Sequence, residues 1–341
     1  MLDKELHGLA FCGDTFLPRN VSITIENSII IHIEDSNKPI TQWIAPAFFN
    51  AHTHIADTVA MDTSVADHSL ADLVAPPNGL KHRFLRATPD AHLKSAMYET
   101  MQFMYSTGTT AFAEFREGGV NGVRLLQQAA IPEIHPVIFG RDGGEFLADG
   151  LGLSNATNHV EDLAFIECAR AAGKHIAIHA GEAGPQDIDD AFSLDPDFII
   201  HATYFEDRHI RAAADRNIPL VICPRSNWIL GGTNAADRPP VRKMIDAGCT
   251  LWLGTDNVMF VSPDMFTECA FLTIVYKTSP EETLTMALGG FSLLGHRGII
   301  EEGEPANLLC LDPGYAKTWT QSPVLSLVSR ISSRSVRAVY Q

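Results

Sequence analysis

Between residues 109 and 254 short apolar runs alternate with helix-patterned stretches, and this alternation restricts the folds open to the chain more than any other feature. The runs 109–115, 136–140, 150–154, 175–179, 198–201, 219–223 and 250–254 have strand length and lie between turn signals. Stretches 120–130, 159–172, 187–192, 206–214 and 241–247 have the apolar spacing of helices. With the earlier run that ends at His54, this makes eight strands, nearly every one followed by helix. Strands joined through helices run parallel, and the simplest closed form is a (β/α)8 TIM-type barrel, whose active site lies at the C-terminal ends of its strands. A doubly wound open sheet is the alternative, but no G-x-G-x-x-G turn follows a strand to support it.

The flanks differ in character. Residues 1–45 read as hairpins with turn chemistry at Gly13-Asp14, and β-like runs return at 308–311 and 333–340. The two ends are expected to form one small β-sandwich (1–45 with 303–341) beside a barrel of residues 46–302. Residues 55–86 read as a long loop, a lid or binding loop. Thr88-Pro89-Asp90 then supplies an N-cap and a first-turn proline for a helix whose stripe, Leu93, Met97, Met101 and Met104, reads as core packing.

A formal net charge of -16 disfavours nucleic acid and anionic membrane surfaces as partners. Six cysteines without a C-x-x-C pair read as reduced, buried thiols. With no signal-like or membrane-length apolar run, the expected location is cytoplasmic. A homo-oligomer is left open.

Chemistry concentrates where strands end. His52 and His54 lie one residue apart, so on a strand both imidazoles point to one face, an arrangement suited to a divalent transition metal. His179, His201 and Asp256 end or follow three other strands, positions awkward for polar groups unless a site gathers them. Glu182 follows His179 by three residues and offers a base for a water acidified by a cation. Glu114, Arg116, Arg141 and Arg225 also stand at strand ends, and Asp57 follows the histidine pair; these five are the candidates for touching substrate. His175, at the opposite end of its strand from His179, belongs to the barrel floor.

In Pro46-Ala47-Phe48-Phe49-Asn50-Ala51-His52-Thr53-His54, His179-Ala180-Gly181-Glu182, His201, Cys223-Pro224-Arg225-Ser226-Asn227 and Leu253-Gly254-Thr255-Asp256-Asn257, the chain resembles the amidohydrolase superfamily. Within it, the likeness is to the metal-dependent aminohydrolase branch of cytosine, guanine and S-adenosylhomocysteine deaminases and triazine hydrolases. The resemblance implies that His52, His54, His179 and Asp256 hold one divalent metal ion, zinc foremost and iron as the alternative. It implies Glu182 as proton shuttle and His201 and Asp256 as further catalytic groups. Two-metal members carry a carboxylated lysine on the fourth strand, and residues 133–161 contain no lysine, so one ion is expected. The implied reaction is hydrolytic deamination of a small amino-substituted N-heterocycle (a purine, pyrimidine, pterin or nucleoside-type compound): a metal-activated water attacks an amidine carbon and ammonia leaves. Ring-opening hydrolysis of a cyclic C–N bond, as in imidazolonepropionase-like relatives, is the alternative, and a non-catalytic barrel relative a more distant one.

Overall fold

The computed structural model describes residues 4–66, 68–156 and 159–341. Four strands open the chain: β1 (Lys4–Cys12), β2 (Leu17–Glu26), β3 (Ile29–Asp35) and β4 (Trp43–Pro46). Nine short strands follow: β5 (Phe48–His54), β6 (Thr109–Arg116), β7 (His135–Gly140), β8 (Gly150–Leu153), β9 (His175–Ala180), β10 (Phe198–His201), β11 (Leu220–Ile222), β12 (Leu251–Leu253) and β13 (Asp256–Asn257). The last two are β14 (Leu308–Leu311) and β15 (Val336–Tyr340).

Strands β5 to β13 form one parallel sheet in the order β12-β11-β10-β9-β8-β7-β6-β5-β13. Its two edges are consecutive in the chain, since only Gly254 and Thr255 separate β12, paired with β11, from β13, paired with β5. The sheet therefore curls until its ends meet. A Cβ on Gly254 would lie 2.7 Å from the Cβ of His52, so the backbones of the first and last strands approach too closely for any side chain there. The Asn50 side chain secures the same seam, donating to the Thr255 hydroxyl at 2.7 Å and accepting from the Thr255 N–H at 3.0 Å.

The inside of the curl is filled by aromatic rings. Phe115 stacks on Phe139 at 5.0 Å, Phe139 meets Phe198 edge-on at 5.2 Å, and Phe198 meets Trp252 at 5.1 Å. β8 makes room for them, because a Cβ on Gly150 or Gly152 would come within 2.5 or 2.9 Å of the Phe139 and Phe115 rings. The connecting helices start on side-chain caps where the sequence supplies them. Asp264 caps Met265–Val275, and Ser279 with Glu282 forms a capping box for Pro280–Leu288.

Both chain ends join a single six-stranded sheet, β15-β14-β4-β1-β2-β3. One face closes over its own core (Ala10, Val21, Ile23, Ile44, Leu308 among others), while Phe11 and Trp43 on the other face pack into the barrel core. The union of the two ends is as expected; the unit is one wrapped sheet where a two-layer sandwich was anticipated. Of the six free cysteines, four are buried, Cys249 is half-buried and Cys168 is exposed, which departs from the all-buried reading.

The segment after β5 is more ordered than a loop. It contains a 3-10 turn (Ile55–Ala60), α1 (Leu70–Val74) and α2 (Leu80–Ala87), with a Ser69–Asp72 capping box starting α1. Thr88 does not cap the next helix, α3 (Asp90–Ser106): its hydroxyl closes α2 instead by donating to Phe84 O at 2.8 Å. The methionine stripe of α3 is buried against Ile55, Phe112 and Leu126, as core packing requires.

Candidate active site

The six groups expected at strand ends converge. His52 Nε2 lies 3.2 Å from Asp256 Oδ1 and 3.3 Å from His179 Nε2, and His54 Nε2 lies 3.6 Å from the same Asp256 oxygen. His201 Nε2 stands 3.7 Å from Glu182 Oε2, and ligand atoms of Glu182, His201 and Asp256 all fall within 4.8 Å of one another. Period-2 geometry on β5 sends both histidines inward, as the spacing requires. At the other strand ends the backbone turns sharply: His201 (φ 78°), Ala202 (φ 50°) and Asp256 (φ 64°) occupy the left-handed region, which non-glycine residues enter rarely and mostly where function holds them.

Hydrogen bonding around the rings decides what they can bind. His179 Nδ1 faces Leu153 O at 2.7 Å and His54 Nδ1 faces Phe115 O at 3.0 Å. A carbonyl can only accept, so the ring proton sits on Nδ1, and Nε2 of each neutral ring presents a lone pair to the centre. Burial holds His179 well below the usual histidine range and pulls His52 down to about 3, so neither ring supplies a charge. Burial would raise the Asp256 carboxyl, but the His52 hydrogen bond and the surrounding imidazoles outweigh it and hold it well below the usual carboxylate range. Ring nitrogens and a carboxylate thus crowd one buried centre, an arrangement a cation would relieve. The donor set fits a divalent metal, and His52, His54, His179 and Asp256 could hold it. Ser226 fixes the carboxylate, donating to Asp256 Oδ2 at 2.6 Å. Burial raises Glu182, which favours a group that both takes and returns a proton.

The other sequence candidates separate by what already holds them. Glu114 is fully buried; it accepts from the Thr53 hydroxyl at 2.7 Å and the Ile55 N–H at 2.9 Å, so it fixes the exit of β5 and does not line the cavity. Arg225 is bound to Glu268 at 2.5 Å and to Ser262 O at 2.6 Å and also faces away. Asp57 is buried against Lys81 Nζ at 2.9 Å. Arg116 gives its Nε–H to Glu117 O at 2.9 Å and borders a neighbouring cavity. Arg141 alone of the five borders the cavity, about 210 Å³, that is lined by His54, His179, His201, Glu182 and Asp256. A larger cavity of about 760 Å³ lies at the starts of β11 and β12, with mainly apolar walls and none of these groups.

One residue, Lys81, enters the site that sequence reasoning passed over, and it does so through Glu117, a strand-end charge the sequence offers beside Glu114 and Arg116. Lys81, on α2, reaches in to Glu117 Oε1 at 2.7 Å, and the same oxygen lies 3.0 Å from His54 Nδ1. The signal was faint: a charged Lys81-His82-Arg83 run within the long segment and a third charge, Glu117, just beyond β6.

A parallel, curled sheet thus gathers four histidines, Glu182 and Asp256 at the C-terminal ends of its strands, a donor set suited to metal-assisted hydrolysis. The adenosine deaminase family model matches residues 137–286. A putative aminohydrolase of Methanothermobacter thermautotrophicus is 31% identical, over 97% of this chain and 95% of that protein. Among solved structures, the atrazine chlorohydrolase of Arthrobacter aurescens TC1, complexed with zinc, superposes with a TM-score of 0.78 at 16% identity, covering 97% of this chain and 94% of the other. The guanine deaminase of E. coli superposes with a TM-score of 0.77 at 15% identity, covering 100% and 97%. The chain belongs to the amidohydrolase superfamily, in its aminohydrolase branch, hydrolases of C–N bonds other than peptide bonds. Among the described residues no helix is long and apolar enough to cross a membrane.

Proposed function

We propose that this chain is a metal-dependent hydrolytic deaminase of a small amino-substituted N-heterocycle, with His52, His54, His179 and Asp256 holding one ion, zinc foremost. The observation that carries the reading is the Glu182–His201 pair at 3.7 Å beside that ligand cluster. The deaminases named among the relatives, and a neighbour that carries zinc, support it. A divalent ion in this cluster supplies Lewis acidity that draws the pKa of a water down toward neutrality. Glu182 takes the proton of the attacking water and delivers it to a ring nitrogen, which makes the adjacent amidine carbon electrophilic. His201 donates to the oxygen of the tetrahedral centre. Glu182 then takes the remaining proton from the hydroxyl of the tetrahedral centre and passes it to the exocyclic nitrogen; the C–N bond breaks, the C=O forms and ammonia leaves.

The geometric reading that accompanies it takes β12 and β13 as two halves of one broken strand, giving a closed eight-stranded (β/α)8 barrel over residues 46–302. The ends, 1–45 and 303–341, are then a second unit. The meeting of the sheet's edges at Gly254–Thr255 supports this.

Ammonia release over a panel of amino-substituted purines, pyrimidines and pterins, with metal-loaded protein, tests the function; a ring opener would consume its substrate without stoichiometric ammonia. Glu182→Gln should keep its metal, measured by atomic emission, and lose about 10²-fold or more in kcat, whereas His179→Ala should lose the metal. Metal-loaded Glu182→Gln with full turnover would overturn the role of Glu182.

A further inference from the structure

The wall that closes the reaction cavity on one side is not part of the barrel. Leu70, Val74, Pro76, Lys81 and His82 supply it, all from the segment that holds α1 and α2. Among the described residues, the hydrogen bonds from side chains of α2 stay inside that segment: His82 Nε2 faces Val74 O at 3.1 Å, and Arg86 gives Nη1 to Pro77 O at 2.6 Å. Attachment to the barrel is of another kind. Lys81 is the one buried residue of α2, while Phe84 is exposed and Leu85 half-buried. Its ammonium sits between two buried carboxylates, 2.9 Å from Asp57 Oδ2 in the turn after β5 and 2.7 Å from Glu117 Oε1 just beyond β6. It is the nearest cation to Glu117, since Arg141 and Arg116 stand back at 3.7 and 3.9 Å. Without it, two carboxylates stay buried with no charge at contact distance, an arrangement strongly disfavoured. The Glu117 oxygen that Lys81 holds also lies 3.0 Å from His54 Nδ1, the back of a ring whose Nε2 faces the ligand centre. A carboxylate behind a metal-binding imidazole fixes the ring and makes it a stronger donor.

We propose that Lys81 is a positioning residue for His54: seated between Asp57 and Glu117, it fastens the α1–α2 wall to the barrel and holds the Glu117 carboxylate behind the metal-binding ring. The inference rests on the metal-dependent reading and deepens it. Lys81 acts through Glu117 and not on the reacting atoms. One side chain thus sets both the wall and the ligand. When α2 lifts, the ammonium leaves with it, Glu117 loses its counter-charge and His54 loses its fixed neighbour. A covered cavity and a firmly held ligand set occur together.

The test starts from chelator-stripped protein reloaded with Co2+, whose d–d absorption reports the ligand field, or with Zn2+, whose affinity is read by competition with a chromophoric chelator. Lys81→Met, close in size and without charge, should weaken Zn2+ binding about tenfold or more and shift the Co2+ band. Its effect should not add to that of Glu117→Gln: the double variant should bind Zn2+ as Glu117→Gln alone does. Lys81→Arg keeps a charge beside both carboxylates and decides the matter if Lys81→Met fails to fold. It should recover part of the affinity and still shift the band, because a planar fork does not take the place of a point charge between two carboxylates. Arg86→Ala removes the tie to Pro77 without touching Glu117 and should leave affinity and band unchanged. Zn2+ affinity in Lys81→Met within about twofold of wild type, additive losses in the double variant, a Lys81→Arg band identical to wild type, or an equal shift in Arg86→Ala would overturn the proposal while leaving the metal site standing. A wild-type chain that takes up neither Co2+ nor Zn2+ would overturn both.

Discussion

At the scale of single residues, the site is a set of lone pairs whose orientation is fixed from behind. Leu153 O and Phe115 O set the tautomers of His179 and His54, and Ser226 sets the rotamer of Asp256. A buried hydrogen bond to a charged group contributes about 1.5–3 kcal/mol. Ser226→Ala should therefore lower kcat/KM about tenfold or more while metal content stays near one ion per chain, measured by steady-state kinetics with atomic emission. Unchanged kinetics would show that Asp256 is held by its backbone alone. The converging groups were legible in the sequence because an imidazole or carboxylate at the end of an apolar run has few other reasons to be there. Which charges past a strand end face the cavity was not legible. Glu114, Arg141 and Arg225 occupy similar positions in the sequence, but only local backbone direction and a competing partner decide whether each points inward. Lys81 was less visible still, since its role depends on where α2 folds back.

At the scale of elements, the strands separate stability from chemistry along their length. The start of β9 carries His175, half-exposed and 3.9 Å from Asp197, far from the reactive end of the strand. The Asp197 carboxylate beside it raises His175 above its usual value. Burial would raise Asp197, but the neighbouring His175 and the hydrogen bond from the Ile176 N–H outweigh it and lower it. A raised histidine stabilises fully below its unfolded pKa and loses that contribution as pH rises through the folded value. A lowered aspartate stabilises above its unfolded pKa and loses that as pH falls. The pair therefore contributes most between about pH 4 and 6.5. His175→Asn should cost under about 1 kcal/mol near pH 5.5, after solvent screening, and nothing near pH 8.5, measured by urea denaturation. Equal losses at both values would remove the ion pair from the account. Periodicity located the strands and most helices. It missed α1 and α2, which are short and lie in a stretch rich in proline, glycine and charge, where capping residues carry more of the signal than apolar spacing.

At the scale of the whole molecule, the floor of the site is the aromatic layer, and the layer exists because β8 turns only glycines, Gly150 and Gly152, toward it. Phe115 links the two: its ring stacks on Phe139 and meets the His52 ring at 4.4 Å. Gly152→Ala places a Cβ 2.9 Å from Phe115, and overpacking of this kind costs about 1–3 kcal/mol. The variant should unfold at lower denaturant and bind metal less tightly, and Phe115→Leu in the same chain should recover part of the stability. No recovery would place the strain in the backbone of β8. That the chain ends would meet in one β unit was readable from their β-like runs; that they would wrap as a single sheet was not, because strand order depends on long-range pairing that no local pattern encodes.

The seam at Gly254–Thr255 also orders events in time. His52 and Asp256 stand on neighbouring strands with some two hundred residues of chain between them. Bringing such distant strands together is late and entropically costly, and nothing on the growing chain can assemble the cluster before the last barrel strand exists. A partly made or partly unfolded molecule therefore presents at most the histidines, without the carboxylate that completes the set. An ion captured at this seam would rivet the beginning of the curled sheet to its end, so retention of the ion and integrity of the sheet stand or fall together.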